Sequence, residues 1–317
     1  MSNQVPPPSL GRAGALVVFP GALGDLLCAM PAMREIYRRH GGRVTVLCKG
    51  DLVPLVRAAE IGDAAPIEGR AAAWLFAAEP PPEADAFFAA FAVVESFSGS
   101  AAPEVARNLG RWLGHAARVH PFRPPVPRHL AEHFLGCIGA PRAAAEIATV
   151  EVSAGEAAVA AARARMAALP RPVLAVHPGS GGRSKRWSRS GFVEIADRWR
   201  ARGGGVVIVL GPAEAGESSL WKAAGVVLEP PSVLELAAQL GAADAYLGND
   251  SGASHLAGAV GVRGAAVFGP TDPALWRPLS PRIVACRLAP WTACEEAAPR
   301  AAVDAVDRAL VPAATSP

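Results

Sequence analysis

Asp244 to Pro273 reads DAYLGNDSGASHLAGAVGVRGAAVFGPTDP. Ala245–Leu247 has the apolar character of a strand end, and Gly248–Gly252 is a turn of flexible and capping residues. His255–Val260 continues as a small-residue helix, and Gly264–Phe268 is the next strand. This order puts two polar turns at the carboxyl ends of adjacent strands, where open α/β sheets bind their ligands. A helix that opens on Gly and Ser presents unpaired backbone N–H groups and the positive end of a dipole. The expectation is a cradle for a nucleotide diphosphate.

The same alternation runs outward along the chain. Ala15–Phe19 is a continuous apolar run typical of a buried parallel strand. A helix follows through Arg39, then a strand at Arg43–Cys48 and a helix near Leu52–Ala59. Ile67–Asp85 is Ala/Pro-rich and shows neither period. Further strands are expected at Phe91–Val94, Ala148–Val152, Val173–Val176, Val206–Leu210 and Val226–Leu228. Alternating β and α elements imply parallel sheets with helices on both faces. The fold class is therefore α/β, with two Rossmann-like domains facing each other across a cleft. Their expected bounds are 1–155 and 156–295. A helix and tail at 296–317, helical near Arg300–Leu310, is expected to pack back toward the first domain.

The 317 residues suffice for two such cores. Hydrophobic residues make up 51% and charged residues 19%, which excludes a disordered chain. A formal charge of +3, without dense Lys/Arg stripes between aromatics, argues against nucleic acid. The five cysteines, Cys28, Cys48, Cys137, Cys286 and Cys294, are scattered and include no C-x-x-C. That pattern suits neither a disulfide framework nor a zinc site. The proline-rich N-terminus has no apolar core of a secretory signal, and the apolar tracts Ala71–Ala78 and Phe87–Val94 are too short for a bilayer. A cytoplasmic place is expected. Arg107–Arg142 is locally basic and includes His115, His120, His129 and His133. A solvated surface is the preferred reading of it, over a binding face for an acidic acceptor.

Three motifs fall just past strand ends. Gly21-Ala-Leu-Gly24-Asp25 matches neither a dinucleotide fingerprint nor a P-loop. Asp25 reads there as a helix cap, with a catalytic carboxylate as the alternative. His177-Pro-Gly-Ser180-Gly-Gly-Arg-Ser-Lys185-Arg-Trp187 is a Gly/Ser loop with a lysine, suited to phosphate. The third motif gathers Gly248, Asn249, Asp250, Ser251, Gly252 and His255. Its Asp250 reads as an N-cap or a site residue, and His255 as a core histidine or a site residue.

Taken in order, GALGDLLCAMPAMREI, HPGSGGRSKRWSRSGFVEIADRW, LGPAEAGE and LGNDSGASHLAGAVGVRGAAVFGPTDP resemble glycosyltransferase family 9, the ADP-heptose:lipopolysaccharide heptosyltransferases. The resemblance implies a GT-B fold and an inverting, metal-independent transfer of heptose from an ADP-sugar. No cofactor is implied beyond that donor. The acceptor would be a saccharide or a lipid-linked saccharide of the lipopolysaccharide core, with peripheral contact with the inner membrane within the expected range. By the same resemblance Asp25 is the general base and Lys185 steadies the departing diphosphate. Gly24, Ser180, Asn249, Asp250, Ser251, Gly252 and His255 would line the substrates, and Glu214 would lie near the ribose. These residue types suit the chemistry: a carboxylate accepts the proton of the attacking hydroxyl, and fixed positive potential meets the charge that develops on the leaving group. Pro20–Leu23 carries no charge where the family often has Lys or Arg, so acceptor and sugar stay open. Alternatives are a GT-B epimerase or hydrolase of a nucleotide sugar, and a non-catalytic nucleotide-sugar-binding protein. An NAD-dependent oxidoreductase has the wrong glycine order.

Overall fold

The computed structural model describes residues 14–293 and 296–310. The N-terminal stretch read above for a signal, Cys294 and residues 311–317 of the expected tail lie outside the described residues. The chain divides into two compact units, residues 1–150 and 151–317.

In the first unit, strands β1 (Ala15–Val18), β2 (Val44–Cys48), β3 (Asp63–Pro66), β4 (Val93–Ser96) and β5 (Ala117–Val119) form a parallel sheet of order β3-β2-β1-β4-β5. Every residue of β1 is buried, as an apolar run covered on both faces must be. The helix Leu23–Arg39 carries the chain from β1 to β2. It buries Leu26, Met30 and Met33, one helical stripe, against the sheet. Successive crossovers lead from β1 one way to β2 and β3, and β4 lies on its other side. The reversal beside β1 leaves a crevice at the carboxyl ends of β1 and β4.

The featureless Ile67–Asp85 stretch contains the helix Arg70–Phe76, and the helix Pro82–Ala89 begins within it. They are held by tertiary contacts rather than by a periodic pattern. Phe88 stacks on Trp112 of the helix Pro103–Leu113 with ring centroids 4.2 Å apart, and the buried Asn108 amide donates to the carbonyls of Leu75 and Ala77. Sequence reading also passed over β3 and β5. DAAP offers no β-branched residue to mark β3, and β5 is three residues long at the sheet edge. The strand expected at Ala148–Val152 does not form. The segment joins neither sheet, and its Val152 N–H goes to the Ala259 carbonyl.

The second unit carries β6 (Val173–His177), β7 (Gly205–Val209), β8 (Val226–Leu228), β9 (Ala245–Asn249), β10 (Gly264–Phe268) and β11 (Ile283–Arg287). All are parallel, in the order β11-β10-β9-β6-β7-β8. The order reverses between β6 and β9, so the loops after these two strands share the second crevice. The last helix, Arg300–Leu310, gives its apolar face to the second unit. Val303, Val306 and Leu310 are buried in the core of the second unit with Trp199, Ala265 and Val267. Fully burying a Val or Leu stabilises by about 1.5–3 kcal/mol, enough to decide where this amphipathic helix goes. No helix among the described residues is long and apolar enough to cross a membrane.

Candidate functional site

At the end of β1 the chain turns through Phe19–Ala22 into the helix. The turn is tight: a Cβ on Gly21 would stand 2.4 Å from the Phe19 ring. Asp25 occupies the first helical turn, and the backbone N–H of Ala22 donates to its Oδ2 at 3.2 Å. The cap reading therefore holds in part; Ala22 has no side-chain acceptor to return the bond. Gly24 sits beside it as the second residue of that helix, partly exposed.

The other oxygen of Asp25 has a partner that no local pattern announced. Arg123 Nη1 donates to Asp25 Oδ1 at 2.9 Å from a position 98 residues along the chain. The segment that delivers it is anchored residue by residue. His120 donates its backbone N–H to the Ser96 carbonyl at 2.7 Å, and its Nε2 lies 2.6 Å from Glu95 Oε2. Arg118 holds the second Glu95 oxygen. The Pro121 carbonyl accepts from His133 Nε2 at 2.7 Å. Burial pushes the His133 imidazole below its ordinary range, so the ring is neutral with its proton on that nitrogen. The Phe122 ring packs on Phe19 and Phe134, with centroids at 5.6 and 5.9 Å. The basic segment is the expected solvated surface at its arginines, Arg107, Arg111, Arg118, Arg123, Arg128 and Arg142, and at His115, all exposed, whereas His120, His129 and His133 are buried. His129 accepts the Ala131 N–H at Nδ1 and so caps the helix Leu130–Cys137.

In the second unit the loop after β6 and the turn after β9 meet at Asp250. Its Oδ2 accepts from Lys185 Nζ at 2.8 Å and from Thr271 Oγ1 at 2.7 Å. Asp250 is not the N-cap. That position falls to Ser251, whose carbonyl accepts from the N–H groups of Ser254 and His255 at the head of the helix Gly252–Ala259. The first N–H groups of this helix have no intrahelical partner, as at any helix start. Ser180 donates its hydroxyl to the Asp250 carbonyl at 2.9 Å, which ties the Gly/Ser loop to the turn. The Asp250 side chain is 7% exposed and the Lys185 side chain 36%. A buried carboxylate thus holds a lysine whose head still reaches water.

Two of the expected substrate residues are buried and bonded to the protein's own loops. Asn249 is fully buried; its Oδ1 accepts the Trp187 N–H at 2.9 Å and its Nδ2 donates to the Pro178 carbonyl at 2.8 Å. Glu214 is 2% exposed. Its carboxylate accepts from Arg186 Nη2 at 2.9 Å and from the Gly211 N–H at 3.0 Å. It lies so close under the loop that a Cβ on Gly179 would stand 2.2 Å from it. Arg186 also bonds Glu217, so Lys185 and Arg186 diverge, one toward Asp250 and one into the interior. His177 donates from Nδ1 to the Val209 carbonyl, and burial pushes its imidazole below the ordinary range. His255 is nearly buried on the helix behind Ser251.

Lys185, Ser180, Asp250, Ser251 and Gly252, all named from the sequence, meet at the carboxyl ends of β6 and β9. Arg123, Glu95, His120 and Thr271, which bond to named residues or to their supports, were not among them. Thr271 was within reach, in the GPTDP turn after β10, the neighbour of β9. Among the described residues no three His, Cys, Asp or Glu side chains are placed to hold a metal ion.

Comparison with known proteins adds three findings. The family model of glycosyltransferase family 9 (heptosyltransferase) matches residues 120–302, more than half of the chain, and its span leaves out Asp25. No curated protein sequence matches the chain. Among solved structures, the E. coli ADP-heptose lps heptosyltransferase II superposes with a TM-score of 0.72 at 16% identity, over 93% of this chain and 96% of its own. A glycosyl transferase family 9 protein from Veillonella parvula gives 0.69 at 17%, over 90% and 88%. The E. coli heptosyltransferase WaaC with ADP gives 0.59 at 18%, over 86% and 92%. At these identities the likeness is one of fold: two parallel-sheet units of the GT-B kind.

Proposed function

The chain belongs to glycosyltransferase family 9, and from that premise we propose an inverting, metal-independent transfer of heptose or a related sugar from an ADP-sugar to a saccharide or lipopolysaccharide-core acceptor. The observation that carries the reading is the Lys185–Asp250 pair at the head of the helix Gly252–Ala259. Asp250 holds the ammonium at the crevice, and a diphosphate there meets a point charge, glycine-loop amides and a helix start together. These groups would take up the charge that develops on the departing ADP. Asp25 would accept the proton of the acceptor hydroxyl as it attacks the anomeric carbon on the face opposite the leaving group. Gly24, Ser180, Ser251, Gly252 and His255 would line the substrates. Asn249 and Glu214 would act from behind, by fixing the loops. The proposal includes a cytoplasmic site of action with peripheral contact with the inner membrane.

The test is a panel of nucleotide sugars assayed for turnover with core saccharide acceptors, with and without EDTA. ADP-heptose is expected to be consumed only with acceptor present and equally well with the chelator. Turnover confined to another nucleotide, or abolished by EDTA, would overturn the corresponding part.

A further inference from the structure

In the first unit, one observation calls for an explanation that the proposed role of Asp25 does not supply. A carboxylate meant to take a proton has both oxygens engaged, Oδ2 by the Ala22 N–H and Oδ1 by Arg123. The Ala22 bond belongs to the helix start and cannot be given up without loosening that turn. The Arg123 bond is exchangeable, because the guanidinium side chain is 52% exposed while that of Asp25 is 16% exposed. An ion pair of this sort on a free surface contributes little and often reflects chance. This one is delivered by an arm pinned at His120, Pro121 and Phe122, so its geometry is imposed by the buried side of the unit.

We infer that Arg123 is a catch on Asp25: it occupies the carboxylate while the acceptor is absent and releases it when an oxyanion on the acceptor takes over the guanidinium. This inference rests on the reading of Asp25 as the base. The chemistry of release is competition between two anions for one planar set of donors, which phosphate and carboxylate groups can both enter. Its benefit is selectivity against water. With the catch open, Asp25 accepts a proton from water as the water oxygen bonds to the anomeric carbon. The bond from that carbon to the diphosphate oxygen breaks with its electron pair, giving free sugar and ADP. With the catch closed, that hydrolysis is suppressed. Arg123 is here a positioning residue for the base, and its placement depends on Glu95 and His120 beneath it.

The experiment measures ADP release from ADP-heptose without acceptor. Arg123→Gln is expected to raise this hydrolysis roughly two- to fivefold, the factor that breaking such an ion pair supplies. In the double variant with Asp25→Asn the rise should vanish. Inorganic phosphate, as an oxyanion probe, should raise hydrolysis by the wild-type protein and leave Arg123→Gln unmoved. Unchanged or slower hydrolysis by a folded Arg123→Gln, checked by an unaltered melting temperature, overturns the catch. No response of the wild type to phosphate overturns the oxyanion as its release. Asp25→Asn alone reports on the base separately: if it transfers sugar at the wild-type rate, the base reading falls, whatever Arg123 does.

Discussion

The crevices of the two units are built by different means. In the second unit, the polar groups come from short motifs whose members are neighbours in sequence. Ser180 and Lys185 stand in one loop and Asp250 to Gly252 in one turn, and backbone groups do much of the holding. In the first unit the polar groups are isolated and meet only through the tertiary fold. Asp25 meets Arg123 across 98 residues and Glu95 meets His120 across 25, around a cluster of Phe19, Phe97, Phe122 and Phe134. A diphosphate wants many donors at loosely defined positions, which glycine loops and helix starts supply cheaply. A single proton acceptor wants one carboxylate held still, which takes packed rings and side-chain anchors.

The largest effect expected from this contrast is kinetic. Asp25→Asn should lower sugar transfer by roughly 10²- to 10⁴-fold, the usual contribution of a positioned general base. Transfer near the wild-type rate in a steady-state assay would remove chemistry from the first unit. Next in size, Lys185→Met should weaken ADP binding by about 10- to 100-fold, as one lost bond to a charged phosphate would. Calorimetry that found no change would place the diphosphate elsewhere.

A smaller and purely structural effect is expected at Gly179. An alanine there puts a methyl group 2.2 Å from the Glu214 carboxylate, so the loop or the Glu214–Arg186 pair must shift. Overpacking of this sort costs about 1–3 kcal/mol and should lower the melting temperature by several degrees, with ADP affinity falling as the loop moves. Retained stability and affinity would show that the loop is softer than its contacts indicate.

Acid distinguishes the units least. Burial holds the imidazoles of His177 in the second unit and His133 in the first below their ordinary value of 6.5. Between the folded and unfolded values the unfolded chain binds more protons, so their contribution is intact above about pH 6.5 and is lost as the pH falls. Melting curves should shift downward from about pH 7 to pH 5.5; an upward shift would contradict neutral burial of these rings.

The contrast also explains what the sequence revealed. The alternation of apolar runs and helical patterns announced both parallel sheets, because strands buried on both faces must be continuously apolar. Lys185, Asp250 and the helix start were legible because Gly, Ser, Asp and Lys crowd within a few residues of a strand end. Asp25 read locally as a cap with a catalytic carboxylate as the alternative, and only the family resemblance made it a base; its partner Arg123 lies beyond any local window. Arg123 and His120 were hidden in a basic stretch that composition assigns to solvent. Glu214 and Asn249 carried the right chemistry at the right place, and only burial shows that their polar groups bind the protein's own loops.

The central claim is that the donor nucleotide is held by the second unit while the first supplies the base. ADP titrated calorimetrically into Asp25→Asn and Lys185→Met, side by side with the wild type, tests it most directly. The account predicts wild-type affinity for Asp25→Asn and an affinity at least about tenfold weaker for Lys185→Met. Loss of ADP binding in Asp25→Asn, or its full retention in Lys185→Met, would contradict that division.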